Sequence, residues 1–123
     1  MNINKSKILS YWVIGKHAVV GALNNPDRIN YRLCITAENY EKIQTNNIKL
    51  EPEIMSRTEI SKLTNNNIHQ GLALLTKPLE KKNLNNYLNQ NKNKNKIFII
   101  LDQINDSQNV GAIIRSAAAF NAS

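Results

Sequence analysis

The chain of 123 residues has one cysteine, no acidic residue before Asp27 and no apolar run long enough to span a bilayer. A lone Cys34 excludes an intramolecular disulfide and a cysteine-rich zinc site. Its place inside Tyr31-Arg-Leu-Cys-Ile-Thr36 marks it as a small buried strand residue. A membrane-spanning helix needs about 20 consecutive apolar residues, and the segment from Ile8 to Ile14 is too short and too polar even for a secretory leader. A cytoplasmic protein with no membrane partner is the expectation. The missing acidic residues at the start resemble an organellar targeting segment, but Arg is missing there as well. His17 and His69 stand far apart with no third ligand at metal-binding spacing. No metal site is expected, and each histidine reads as a hydrogen-bonded structural residue. No internal repeat is visible.

What the chain has in excess is positive charge. Its 16 Lys and Arg oppose 9 Asp and Glu, a net charge of +7 that suits a protein meeting phosphate backbones. Nucleic acid is therefore the partner to test first, although part of the excess sits in the low-complexity tract Asn89-Gln-Asn-Lys-Asn-Lys-Asn-Lys96. Lys16, Arg28 and Arg32 are candidate RNA phosphate contacts, and each also reads as an ordinary solvated cation. Tyr11, Trp12, Tyr31 and Tyr40 offer rings for stacking on unpaired bases. Of these, Trp12 is expected to be partly exposed and Tyr31 to belong to the core.

Periodicity divides the chain. Ala18, Val19, Ala22 and Leu23 have the spacing of one helical face, ended by Asn24-Asn-Pro-Asp27. Tyr31 to Thr36 alternates as a strand, with Leu33 and Ile35 on one face and Arg32 and Cys34 on the other. A helix over Ala37 to Gln44, a short strand at Ile48-Lys-Leu50, a helix over Arg57 to Leu63 capped by Ser56, and a strand from His69 to Thr76 follow. This alternation predicts an α/β layer domain over residues 1–78. Residues 79–96 read as an Asn/Lys-rich linker, with Leu84, Tyr87 and Leu88 at helical spacing inside it. A second unit, 97–123, opens with Ile97-Phe-Ile-Ile-Leu101, the pattern of a strand buried on both faces. Asp102 to Gln108 is then a polar loop, and Asn109 to Phe120 a helix.

Ligand sites of open α/β sheets lie at the carboxyl ends of strands, which points to that loop. On the helix, Ile113/Ala117 and Ile114/Ala118 form the core-facing stripe, while Gly111, Arg115 and Ala119 line another face. A helical side chain leans toward the start of its helix, so Arg115 is expected to extend over Gly111 and Ala112, toward unpaired N–H groups that favour anions. The alternative is that Arg115 pairs with Asp102 or Asp106 and fastens the loop.

Leu101-Asp-Gln-Ile-Asn-Asp-Ser-Gln-Asn-Val-Gly-Ala-Ile-Ile-Arg-Ser-Ala-Ala-Ala-Phe120 resembles the first signature motif of the SpoU/TrmH RNA ribose 2′-O-methyltransferases, Asp-x-x-Asn-x-Gly-x-x-x-Arg-[Ser/Thr]-Ala. Ile14-Gly-Lys-His-Ala-Val20 and Ile68-His-Gln-Gly71 are similar to the entry and exit of that family's small ribosomal-protein-like RNA-binding domain. The resemblance implies such a domain followed by the first strand and helix of a SPOUT-type trefoil-knot methyltransferase domain. It implies S-adenosylmethionine-dependent 2′-O-methylation of ribose in ribosomal or transfer RNA by a homodimer. Arg115 matches the Arg proposed to activate the ribose hydroxyl, and Asn109 the Asn that shapes that site. A free Arg is a poor base, so holding the neighbouring phosphate and stabilising alkoxide charge is the favoured role. Ser107 stands where many members have Pro, and Asn121 where Gly is common. The family's second and third motifs, which form the cofactor pocket, have no counterpart here. The expectation is a truncated chain without an S-adenosylmethionine site, an RNA-binding remnant being the alternative to an active enzyme.

Overall fold

Consecutive apolar residues in a strand, such as Leu33, Cys34 and Ile35, point to opposite faces and demand a core on each side of the sheet, and the fold supplies both. A computed structural model describes residues 9–43, 48–66 and 68–122. They divide into two units, one reaching Glu80 and the other beginning at Lys81. The first contains β1 (Tyr11–Ile14), α1 (Lys16–Leu23), β2 (Asn30–Ile35), α2 (Ala37–Lys42), β3 (Pro52–Ile54), α3 (Arg57–Thr64) and β4 (Leu72–Thr76). The strands form one mixed sheet in the order β1-β4-β2-β3. In it β4 runs antiparallel to both β1 and β2, and β3 parallel to β2.

Leu33 and Ile35 of β2 join Leu72 and Leu74 of β4 under Val19 and Ala22 of α1 in the larger core. On the opposite face Cys34 and Ala73 are closed over by Ile60 of α3, with Trp12, Ile14 and Met55 around them. Each fully buried Leu or Ile contributes roughly 1.5–3 kcal/mol relative to exposure. Burial pushes the Cys34 thiol up, so it stays protonated and inert.

Three boundaries differ from the sequence pattern. The third strand is Pro52–Ile54, not Ile48–Leu50, because parallel register with β2 pairs Leu33 with Pro52 and Ile35 with Ile54. Ile48 and Leu50 instead pack on the larger core. Pro52 opens a strand at the edge of the sheet, where its missing N–H is tolerated. The last strand starts at Leu72 rather than His69, since Gln70 (φ 54°) and Gly71 (φ 78°) leave the extended region. The helix expected to reach Gln44 ends at Lys42, and Gln44 lies outside the described residues. Ser56 caps α3 as expected: its Oγ accepts from Glu59 N while its own N–H donates to Glu59 Oε2.

The second unit holds α4 (Leu84–Gln90) and α5 (Ser107–Ala119). Asp106 starts α5 by accepting from Gln108 N at 2.8 Å, so the helix begins two residues before Asn109. Asn121 takes φ 56°, the left-handed exit that Gly otherwise supplies. The segment Ile97 to Leu101, expected as a buried strand, belongs to no sheet among the described residues, and Ile100 is 87% exposed. A strand is held by a hydrogen-bonded neighbour, and among the described residues none pairs with it. Ile99 and Leu101 instead line a groove of about 280 Å³ with Ile113, Ile114, Ala117 and Ala118, the stripe expected to face a core. Among the described residues no helix is long and apolar enough to cross a membrane.

Candidate nucleic-acid interface

Because β1, β2 and β3 run the same way and β4 runs against them, Ile14, Ile35 and Ile54 end where Leu72 begins. The starts of α1, α2 and α3 follow those strand ends directly. Backbone bonds close this end of the sheet: Gly15 N donates to Leu72 O at 3.2 Å, and Thr36 N to Gly71 O at 3.0 Å. Side chains lock it further. Gln70 Oε1 accepts from Lys16 N at 3.0 Å, and Asn39 Nδ2 donates to Gln70 O at 2.9 Å. The two segments singled out by sequence, Gly15-Lys-His17 and His69-Gln-Gly71, thus form one latch.

His69 organises it from below. The ring is 2% exposed, its Nδ1 accepts from Gly71 N at 3.0 Å, and its Nε2 lies 2.9 Å from Ser61 Oγ. Accepting at Nδ1 places the proton of the neutral ring on Nε2, where it donates to Ser61. His17 is exposed at the start of α1 and makes no side-chain hydrogen bond among the described residues, unlike the structural role expected of it. Gly71 is required by space as well as by φ. A Cβ there would lie 2.4 Å from Asn39 Nδ2 and 2.8 Å from Thr36 Oγ1.

Lys16, Arg28 and Arg32 are not brought together. Lys16 is exposed at the latch. Arg28 precedes β2 at the other end of the sheet, its Nη1 donating to Tyr11 Oη at 2.8 Å and its guanidinium 6.0 Å from that ring. Arg32 is committed to Glu53 through two bonds, Nε at 2.8 Å and Nη2 at 2.7 Å, and lies 5.8 Å from the half-buried Trp12 ring. The cation expected to meet phosphate is therefore neutralised by a carboxylate on the neighbouring strand, which the pattern along one strand does not reveal. Arg32 in turn holds the Glu53 carboxyl below its usual range.

That depressed carboxyl sets a pH dependence. Its stabilisation is present above the unfolded value near about 4.3 and is lost as pH falls through the folded value. With side chains 37% and 40% exposed the pair contributes at most about 1 kcal/mol. Glu53→Gln is thus expected to lower the urea midpoint slightly at neutral pH, and the gap to wild type should close at acid pH. A gap that widens on acidification would contradict the pairing.

In the second unit Arg115 is exposed and leans back along α5, its Nη1 3.6 Å from where a Gly111 Cβ would stand. Among the described residues it pairs with neither Asp102 nor Asp106, the latter being used as the helix cap. Asn109 is exposed in the first turn of the same helix. No group of three His, Cys, Asp or Glu able to hold a metal occurs among the described residues. Asn39, which fastens the latch to Gln70 from 31 residues away, has no sequence signal of its own.

The family model for the substrate-binding domain of RNA 2′-O ribose methyltransferases matches residues 12–82, which takes in nearly all of the first unit's sheet and its three helices. The chain belongs to the SpoU/TrmH family. A tRNA/rRNA methyltransferase of Synechocystis sp., itself uncharacterized, is 34% identical over 119 residues, covering 88% of this chain and 30% of the relative. A protein of Staphylococcus epidermidis named as a putative TrmH family tRNA/rRNA methyltransferase is 33% identical over 116 residues, covering 87% of this chain and 45% of its own. An uncharacterized tRNA/rRNA methyltransferase of Mycobacterium leprae is 38% identical over 66 residues, 53% of this chain and 21% of that one. The chain therefore spans less than half the length of each of these SpoU/TrmH relatives. No solved structure matches significantly.

Proposed function

We propose that the first unit holds structured ribosomal or transfer RNA for S-adenosylmethionine-dependent 2′-O-methylation of ribose. The observation that carries this reading is the Lys16–Gln70 latch inside the family's substrate-binding domain. It presents Lys16 at the end of the sheet where α1, α2 and α3 begin. An RNA backbone approaching that end meets the exposed Lys16 and Arg57 at the starts of α1 and α3, while Glu38 is paired with Lys42 and Glu59 is held by Ser56. Arg115, leaning toward the start of α5, and Asn109 in its first turn are the proposed ribose-facing groups. Their part is to hold a phosphate and steady developing charge on the hydroxyl oxygen. RNA holding without turnover is the second reading, supported by a family match that is to the substrate-binding domain, residues 12–82.

Binding is tested by titrating structured RNA at rising salt. Affinity should fall steeply, with Lys16→Glu weakening it across RNA sequences and flattening the salt dependence by about one unit of slope for each phosphate no longer engaged. Salt-independent binding, or none, would sink the proposal. Mass spectrometry of RNA incubated with the chain and S-adenosylmethionine decides between the two readings by the presence or absence of 2′-O-methyl nucleosides.

A further inference from the structure

Trp12 and Arg32, both singled out by sequence, meet on the face of the sheet opposite α1. Trp12 is the register partner of Leu75 and Leu75 of Arg32, so the three stand in one row across β1, β4 and β2. The neighbouring row toward the latch, with Cys34 and Ala73, is closed over by Ile60, the residue that α3 buries. Beyond it the cover ends among the described residues. Trp12, Leu75, Arg32 and the adjoining Glu53 are all only half-buried.

This row is flat and electrically balanced. Glu53 holds Arg32 through Nε and Nη2, which fixes the guanidinium as a plane 5.8 Å from the centre of the Trp12 ring. A cation paired in this way is a poor holder of phosphate, yet its hydrogen-bonding capacity is not spent. A guanidinium has more N–H donors than the two that Glu53 takes, and a carboxylate more lone pairs than the two that Arg32 fills. An inorganic anion makes no use of the ring, and an apolar side chain leaves the polar edge unanswered. An unpaired base answers both, because its flat body stacks on aromatic rings and guanidinium planes while its edge carries N–H donors beside acceptors. We propose that this row takes one unpaired base of bound RNA, stacked on the shelf of Trp12 and the Arg32 guanidinium, with its N–H groups on Glu53 and its acceptors on Arg32. The proposal rests on the RNA-binding reading and divides the labour within it: the latch end holds backbone, and the sheet face reads a base.

The test is an NMR titration of the labelled full chain, followed at the Trp12 indole and Arg32 Nε signals, with AMP, ribose 5-phosphate and an unstructured adenosine oligomer. The expected result is saturable ring-current shifts at both signals with AMP, none with ribose 5-phosphate, and at least tenfold tighter binding of the oligomer. Arg32→Lys keeps the charge and loses the plane, so it should weaken the oligomer about tenfold and leave the salt dependence unchanged; at a phosphate contact Lys would serve as well. Trp12→Leu should weaken it about tenfold or more at equal fraction folded, and where that variant does not fold Arg32→Lys decides. Oligomer binding by Arg32→Lys as tight as by wild type, or equal responses to ribose 5-phosphate and AMP, overturn the shelf. Shifts confined to the Lys16–Gln70 end, with structured RNA still bound, overturn it too and leave the RNA reading standing. Failure to bind structured RNA at all overturns both.

Discussion

Gly71→Ala is expected to remove about 3 kcal/mol of stability from the first unit. A non-glycine residue at positive φ costs about 1–2 kcal/mol, and Gly71 sits at φ 78°. The added methyl would also meet Asn39 Nδ2 at 2.4 Å and Thr36 Oγ1 at 2.8 Å, and overpacking of this kind costs about 1–3 kcal/mol. Neither neighbour yields freely. Asn39 is tied to Gln70 O, and Thr36 leads directly into α2 with its backbone N–H bonded to Gly71 itself. Domains of this size hold roughly 0.05–0.15 kcal/mol per residue, so the loss is a large fraction of the whole. Trp12, the single tryptophan, packs on the smaller core and reports the transition by fluorescence in urea. A loss below about 1 kcal/mol would mean that the turn has room the structure denies it.

His69→Leu is expected to cost about 2–3 kcal/mol, and His69→Asn distinctly less. Leucine fills most of the volume but leaves the Gly71 N–H buried without an acceptor, a penalty of about 1–3 kcal/mol, and removes the bond to Ser61. Asparagine restores the acceptor, since an Asn side chain readily accepts from the N–H two residues on. Denaturation midpoints should therefore rank wild type above Asn above Leu. RNA affinity should follow the same order, because the His69 turn carries Gln70 to Lys16. Equal losses for the two variants would show that ring packing, not the accepted bond, holds the turn.

These two positions mark where the sequence is readable. Leu33 and Ile35 against Cys34 reveal a strand with two buried faces, because period-two alternation is a local signal. The Ser56 cap of α3 is legible for the same reason. The third strand lies four residues beyond the apolar pattern because its position is set by register with β2, a partner well before it in the chain. Ile48 and Leu50 have the apolar character of a strand and are used as core filling instead. At the candidate interface, Lys16 and His69-Gln70-Gly71 stand out in the sequence, but their contact joins residues 54 apart and leaves no trace in spacing. For Arg32 the charge is legible and its partner Glu53, on another strand, is not. For Arg115 the side-chain lean is readable, since it follows from helix geometry within a single turn.

The strand order carries a consequence for how the domain is made. In β1-β4-β2-β3 the last of the four strands to leave the ribosome is an inner one, and among the described residues β1 pairs with no strand but β4. Tyr11 to Ile14 must wait through the synthesis of every helix of the unit before Leu72 to Thr76 arrives to join them to β2. The earlier β2 and β3 pair is too small to stand alone. Folding of the unit is therefore a late, closing event rather than a growing one, and it is the arrival of Thr76 that turns a set of waiting segments into a sheet.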